Sequence, residues 1–232
     1  MTTKDHHLDA ILMGRAVSFG PKGQPSAIAK TAVTGPVVVG KLGLAGDEQA
    51  DPRHHGGLEK ALHHYALDHY PVWQAEVPDI SADRLTVGGF GENISTTGLG
   101  EADVCIGDIY RLGTALVQVS QGRQPCWKLN VRFGWPKMAA VVQSSGRTGW
   151  YYRVLEEGRV QAGDSLSLIE RPAAEWSLAA VHRVLYVDTL NRERLQALAG
   201  CEFLTESWRS LAQKRLIRCE VEDWTPRLQT PD

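Results

Sequence analysis

The sequence has 232 residues, 43% apolar and 22% charged, with 25 basic against 27 acidic residues and a net charge of −2. That size builds one large β domain, or a medium domain with an appendage, and the ordinary globular composition excludes a disordered chain and a coiled coil. Apolar runs fall short of the ~18 residues that span a bilayer, and the missing basic excess speaks against duplex nucleic acid binding.

Residues 1–16 lack the basic-then-apolar order of an export signal, and the four cysteines (Cys105, Cys126, Cys201 and Cys219) form no C-x-x-C pair. This argues against a disulfide scaffold, a zinc ribbon and an iron–sulfur site. The expectation is a reduced, cytoplasmic protein without membrane attachment.

Strand character runs over 11–19 and 26–33, separated by the turn-forming 20–25. Val37, Val38 and Val39 mark a buried strand within 36–42, and 61–65 extends as another. Residues 68–76 read as a helix, with Pro71 tolerable near its start. Strands follow at 91–95, 109–112 and 115–121, then helices at 127–133 and 136–143, then strands at 151–156 and 165–170. Many short strands with frequent glycine predict a barrel or closed β domain with helices laid across it.

Beyond Arg171-Pro172 the pattern turns helical. Ser177, Asp188 and Thr205 are N-cap candidates for three helices. Their apolar stripes are Leu178, Val181 and Leu185, then Leu195 and Leu198, then Trp208, Leu211 and Leu216, with Gly200 stopping the second helix. The chain therefore divides into a β domain over 1–170 and a three-helix unit over 171–232. Nine basic and nine acidic residues balance in that unit, which favours a packing or docking appendage over a nucleic acid reader.

Chemistry concentrates in three places. Residues 43–57 pack Gly43, Gly46, Gly56 and Gly57 with Asp47, Glu48, Asp51, Arg53, His54 and His55. Such a loop lets the backbone approach a ligand and can form an anion-binding nest. The histidines at 54, 55, 63, 64 and 69 match neither H-E-x-x-H nor a zinc-finger spacing. His63 and His64 are adjacent on a strand and face opposite ways, so one belongs to the core. In Phe90-Gly-Glu-Asn-Ile94, one of Glu92 and Asn93 enters a pocket, and an amide suits a heterocyclic ligand.

The third place is Ser120 to Asn130, where Cys126 follows a strand and Pro125 and precedes a helix. A helix start and nearby cations favour the thiolate form of a cysteine, and Arg123 and Lys128 supply such cations. A thiolate there serves as a nucleophile or as a soft metal ligand. Cys105, Cys201 and Cys219 lack this setting and read as structural.

Taken in order, these stretches resemble the MOSC domains, named for the molybdenum cofactor sulfurase C-terminal region, and among them the YiiM-like branch. The matching residues include Pro25 to Lys30, Gly43 to Glu48, His54 to Gly57, Lys60-Ala61 with His64-Tyr65, Phe90 to Ile94, Gly107-Asp108, Gln121 to Lys128, Gly149 to Val154 and Gly163-Asp164. The C-terminal helices resemble the three-helix extension of the same branch. The resemblance implies a mainly β fold with α, a MOSC-type β-barrel with peripheral helices plus a small C-terminal three-helix unit. It implies the molybdenum cofactor (molybdopterin), with Cys126 as the molybdenum ligand and Lys30, Asn93, Arg123 and Lys128 holding the pterin and its phosphate.

The implied activity is reduction of small N-hydroxylated compounds, such as hydroxylamino base analogues, to amines as a detoxification. Asp47, His54 and His55 are expected on the substrate side as proton relays alongside Cys126. No ferredoxin-like domain is recognised in the sequence, so an external electron-donor protein is expected. The resemblance leaves room for a homodimer and implies no stable nucleic acid binding. The alternative is a carrier that delivers the cofactor, or sulfur held as a Cys126 persulfide.

Overall fold

The structure is a computed structural model that describes residues 5–51 and 55–231. Thirteen strands and seven α-helices occur among the described residues. The first six strands are β1 (His6–Met13), β2 (Val17–Phe19), β3 (Gln24–Ser26), β4 (Thr31–Ala32), β5 (Val37–Gly40) and β6 (Gly43–Leu44). A 3-10 turn (Leu58–Lys60) leads to β7 (Leu62–Ala66), α1 (His69–Glu76) and β8 (Ile94–Thr96). Next come β9 (Ile109–Leu112), β10 (Ala115–Gly122), α2 (Lys128–Phe133) and α3 (Met138–Ser145). The β region ends with β11 (Trp150–Glu156), β12 (Gly158–Val160) and β13 (Ser165–Glu170). Four helices follow: α4 (Leu178–Tyr186), α5 (Arg192–Ala199), α6 (Glu206–Arg218) and α7 (Thr225–Leu228).

Seven strands close a mixed barrel in the order β13-β9-β10-β11-β7-β8-β1, and β1 returns to β13 through the pair His6↔Leu166. Every pair in the ring is antiparallel except β7–β8. Closure removes the open edges that a sheet otherwise exposes. Leu62, Ile94, Val117, Val119, Trp150 and Tyr152 belong to the main core. His64 is the histidine of the adjacent pair that faces this core. It is buried completely and bonds the Tyr152 hydroxyl at 3.0 Å and Thr96 Oγ1 at 2.8 Å. Burial pushes its pKa down to about 3.

On the outer face of β7, Tyr65 stacks on Phe90 with ring centroids 4.1 Å apart. Trp73, Leu129, Phe133 and Met138 join them in a second cluster, which fixes α1, α2 and α3. The main core also takes in Val181, Leu185, Leu195, Leu198, Trp208 and Ala212. The C-terminal helices thus share one apolar cluster with the barrel.

Several element boundaries differ from expectation. The strand expected over 11–19 starts at His6 and ends at Met13. A Cβ on Gly14 would meet the Ala29 carbonyl oxygen at 2.8 Å, and the following turn is tied to Glu48 through Arg15 and the Ala16 N–H. The strand expected over 26–33 is broken, because 27–30 leaves the sheet to line a pocket. Asn191, not Asp188, caps α5 through a bond from the Arg194 N–H at 3.0 Å, while Asp188 pairs with Arg183. Ser177 caps α4 as expected. The Thr205 hydroxyl makes no capping bond to a backbone N–H of α6; it donates to Gln121 Oε1 at 2.9 Å and lies 3.1 Å from the Ser207 hydroxyl.

Candidate functional site

Cross-strand register builds the floor of the site. β11 pairs with β7 so that Tyr151 lies opposite His63, and β10 places Gln121 opposite Tyr151. The alternation that sends His64 and Tyr152 inward sends His63 and Tyr151 to the outer face, where their rings lie 5.1 Å apart. Beyond Gly122 the chain leaves β10 and presents Arg123 and Cys126 over this floor before α2 begins.

These residues line an inner chamber of about 80 Å³ that continues into an outer cleft of about 740 Å³. Cys126, His55, Lys60, Lys128 and Tyr151 border both. Cys126 Sγ lies 3.7 Å from His55 Nε2. Burial, with Arg123, Lys128 and Lys60 adding to it against Asp51, pushes His55 down to about 3, so its imidazole is neutral. Burial also lowers His63 well below the usual imidazole range.

Of the residues expected in the site, Lys30, Asp47, His55, Asn93, Arg123, Cys126 and Lys128 all border the inner chamber. His54 lies outside the described residues. Asp47 is a hub: it pairs with Lys30, accepts from the Gly14 N–H at 2.8 Å and accepts from Asn93 Nδ2 at 2.8 Å. Burial lowers the Lys30 pKa while Asp47 and Glu92 oppose that shift. Asn93 also donates to the Leu12 carbonyl at 3.2 Å and accepts from the His63 N–H at 3.1 Å. Its amide joins β1, β7 and the Asp47 loop at the pocket wall.

Glu92 turns the other way, fully buried, and takes bonds from the Tyr70 hydroxyl and the Gly88 and Phe90 N–H groups. Burial raises its pKa against those bonds. Lys128 Nζ donates to the Pro25 carbonyl at 2.8 Å. Arg123 is 4% exposed, and its Nη1 has no hydrogen-bond partner. A buried guanidinium nitrogen left unpaired is costly, and because Arg123 lines the chamber, an anionic group there would supply its missing partner.

Sequence reasoning assigns no site role to Lys60, His63 or Tyr151, although Lys60 and Tyr151 stand in stretches that match the family. Lys60 ends the 3-10 turn behind Gly56-Gly57, so the glycine-rich loop was its available signal. His63 and Tyr151 meet only through cross-strand pairing, which no local pattern reveals.

The donor set fits a molybdenum cofactor. Among the described residues no three His, Cys, Asp or Glu side chains are grouped to hold a metal. A metal held in this pocket would take most of its ligands from an organic group, with the Cys126 thiol as the soft sulfur at hand. Arg123, Lys60 and Lys128 line the same chamber, a set of cations that would suit a phosphate on such a group.

The family model of the MOSC domain matches residues 51–167. The chain belongs to the MOSC-domain family. The helices extend the match: the family model of the YiiM-like, 3-alpha helix domain covers residues 176–217. Protein YiiM of Escherichia coli (strain K12) is 42% identical over 210 residues, covering 90% of this chain and 92% of that protein. A protein named Reductase from Gibberella moniliformis is 44% identical over 194 residues, which cover 82% of this chain and 34% of the fungal protein. The crystal structure of YiiM from Escherichia coli superposes with a TM-score of 0.81 at 32% identity, covering 97% of this chain and 99% of that one.

Proposed function

We propose that the protein binds the molybdenum cofactor and reduces small N-hydroxylated compounds to amines. The observation that carries this reading is the Cys126 thiol, set in a pocket with Arg123, Lys60 and Lys128 and with Arg123 Nη1 unpartnered. When bound, the cofactor supplies the two-electron chemistry that turns N–OH into N–H with release of water. The chain's own residues do the rest. Cys126 gives a sulfur ligand, and Arg123 and Lys128 hold the phosphate. Asp47 and Asn93 fix Lys30 and the pocket wall. His55, neutral beside the sulfur, accepts or passes a proton without adding charge.

The reaction consumes two electrons and two protons. We assign the electrons to a separate donor protein, an assignment that rests on the resemblance of the motifs. The name of the fungal relative supports a reductase in general, and the N-hydroxylated substrate class rests on the resemblance of the motifs.

Cys126→Ser is expected to lose more than about 90% of bound molybdenum and of N-hydroxylamine reduction, read by elemental analysis and by amine formation with an added reductant. Full molybdenum content and full turnover in that variant would exclude the ligand assignment. A purified protein with a Cys126 persulfide and no molybdenum by mass spectrometry would favour the carrier reading.

A further inference from the structure

The segment that carries Cys126 has no regular structure between β10 and α2. It needs outside partners to hold one position. Pro125 has no N–H to offer, and its carbonyl accepts from Arg227 Nη1. On the other side of the thiol, the Trp127 N–H donates to the Arg227 carbonyl at 2.7 Å. One residue therefore grips the backbone of both neighbours of Cys126.

Arg227 is itself anchored. Its Nη2 donates to Gln143 Oε1 on α3 at 2.5 Å, and Asn130 Nδ2 on α2 donates to the next carbonyl, that of Leu228, at 2.8 Å. Behind it, Trp224 packs edge-on against Tyr186 at 5.6 Å and donates to Glu222, which is paired with Arg215. The Tyr186 hydroxyl accepts from Gln124 Nε2 at 3.0 Å, two residues before Cys126. Pro226 and Arg227 also form part of the outer cleft wall. These residues lie beyond 176–217, the part that matches the three-helix family model.

We infer that the C-terminal segment 224–228 is a strap whose Arg227 positions Cys126 and narrows the approach to its sulfur. This is a positioning role, and it explains what the C-terminal helices contribute, since they carry the strap to the wall of the outer cleft. The inference rests on Cys126 being the functional thiol, but its test needs no bound cofactor.

Alkylation of the purified full-length protein by N-ethylmaleimide and by a bulky fluorescein maleimide, followed by peptide mass spectrometry, reads each cysteine separately. In Arg227→Ala, Cys126 is expected to react about tenfold faster, the scale of one lost charge-assisted hydrogen bond. The preference for the smaller reagent should fall, and buried Cys105 and Cys201 should stay protected. Arg227→Lys keeps a donor for the Pro125 carbonyl and should return the rate to within about threefold of the parent. A Cys126 rate in Arg227→Ala equal to the parent, with Cys105 and Cys201 protected, overturns the inference. If Cys105 and Cys201 become reactive, so that Arg227→Ala has lost its fold, Gln143→Leu decides. That change removes only the Nη2 acceptor: a faster Cys126 supports the strap, and an unchanged one overturns it.

Discussion

Arg123 and His64 show how single side chains divide the labour of function and stability. Arg123 Nη1 is buried without a partner, so the chain without a ligand carries a desolvation cost there. Arg123→Met is expected to raise the unfolding free energy of the cofactor-free protein by about 1 kcal/mol. The same change should weaken molybdopterin retention by tenfold or more. Urea unfolding and fluorescence of the oxidised pterin check the two halves. His64 is satisfied by Tyr152 and Thr96 as a neutral ring, and its folded-state pKa of about 3 lies below the unfolded value of about 6.5. The unfolded chain binds the proton first as pH falls. The stability contributed by neutral His64 is full above pH ~6.5 and declines toward pH ~3 by up to ~1.4 kcal/mol per pH unit. Urea midpoints at pH 7.5, 6 and 5 should fall, and His64→Gln should flatten that slope.

The elements place these residues through pairings that differ in how visible they are in sequence. The barrel-forming strands, the helices across it and the Ser177 cap follow from alternation, periodicity and cap chemistry, and they were readable. The Cys126 junction was readable too, because Pro125 and the flanking cations are local. The His63–Tyr151 floor and the two-sided grip of Arg227 were not, since each joins residues far apart in the chain. The 26–33 stretch misled for a related reason: its apolar residues serve a pocket wall, and hydrophobicity alone does not say which surface is buried. Gly149 illustrates the tightness of such non-local packing. It holds a positive φ of 70° beside β7, and a Cβ there would collide with the His64 carbonyl oxygen. Gly149→Ala should cost about 2 kcal/mol or more, measured by chemical unfolding. Because Arg123 N–H donates to the Gly149 carbonyl at 2.9 Å, the variant should also lose cofactor.

At the scale of the molecule, the barrel and the helices behave as one packed body. Their shared apolar cluster predicts a single unfolding transition, coincident by circular dichroism and tryptophan fluorescence. The link between them runs through Arg171, which pairs bidentately with fully buried Asp108 at 2.7 and 2.9 Å and also reaches the Asp103 carbonyl. Asp108 takes further bonds from the Cys105 N–H and the Tyr110 hydroxyl. Arg171→Met leaves that carboxylate without its counter-charge and should cost about 3 kcal/mol, seen as a lower urea midpoint with the transition still single. The ring itself closes only when His6 meets Leu166. During synthesis β4 can pair early with the C-terminal end of β1, but the edge at His6 and His7 must wait while some 160 further residues leave the ribosome. The Cys126 grip comes later still, with Arg227. On this order of assembly the pocket is completed only once Arg227 has been made, after both the barrel and the helices, so any cofactor would enter a pocket whose parts come from distant stretches of the chain.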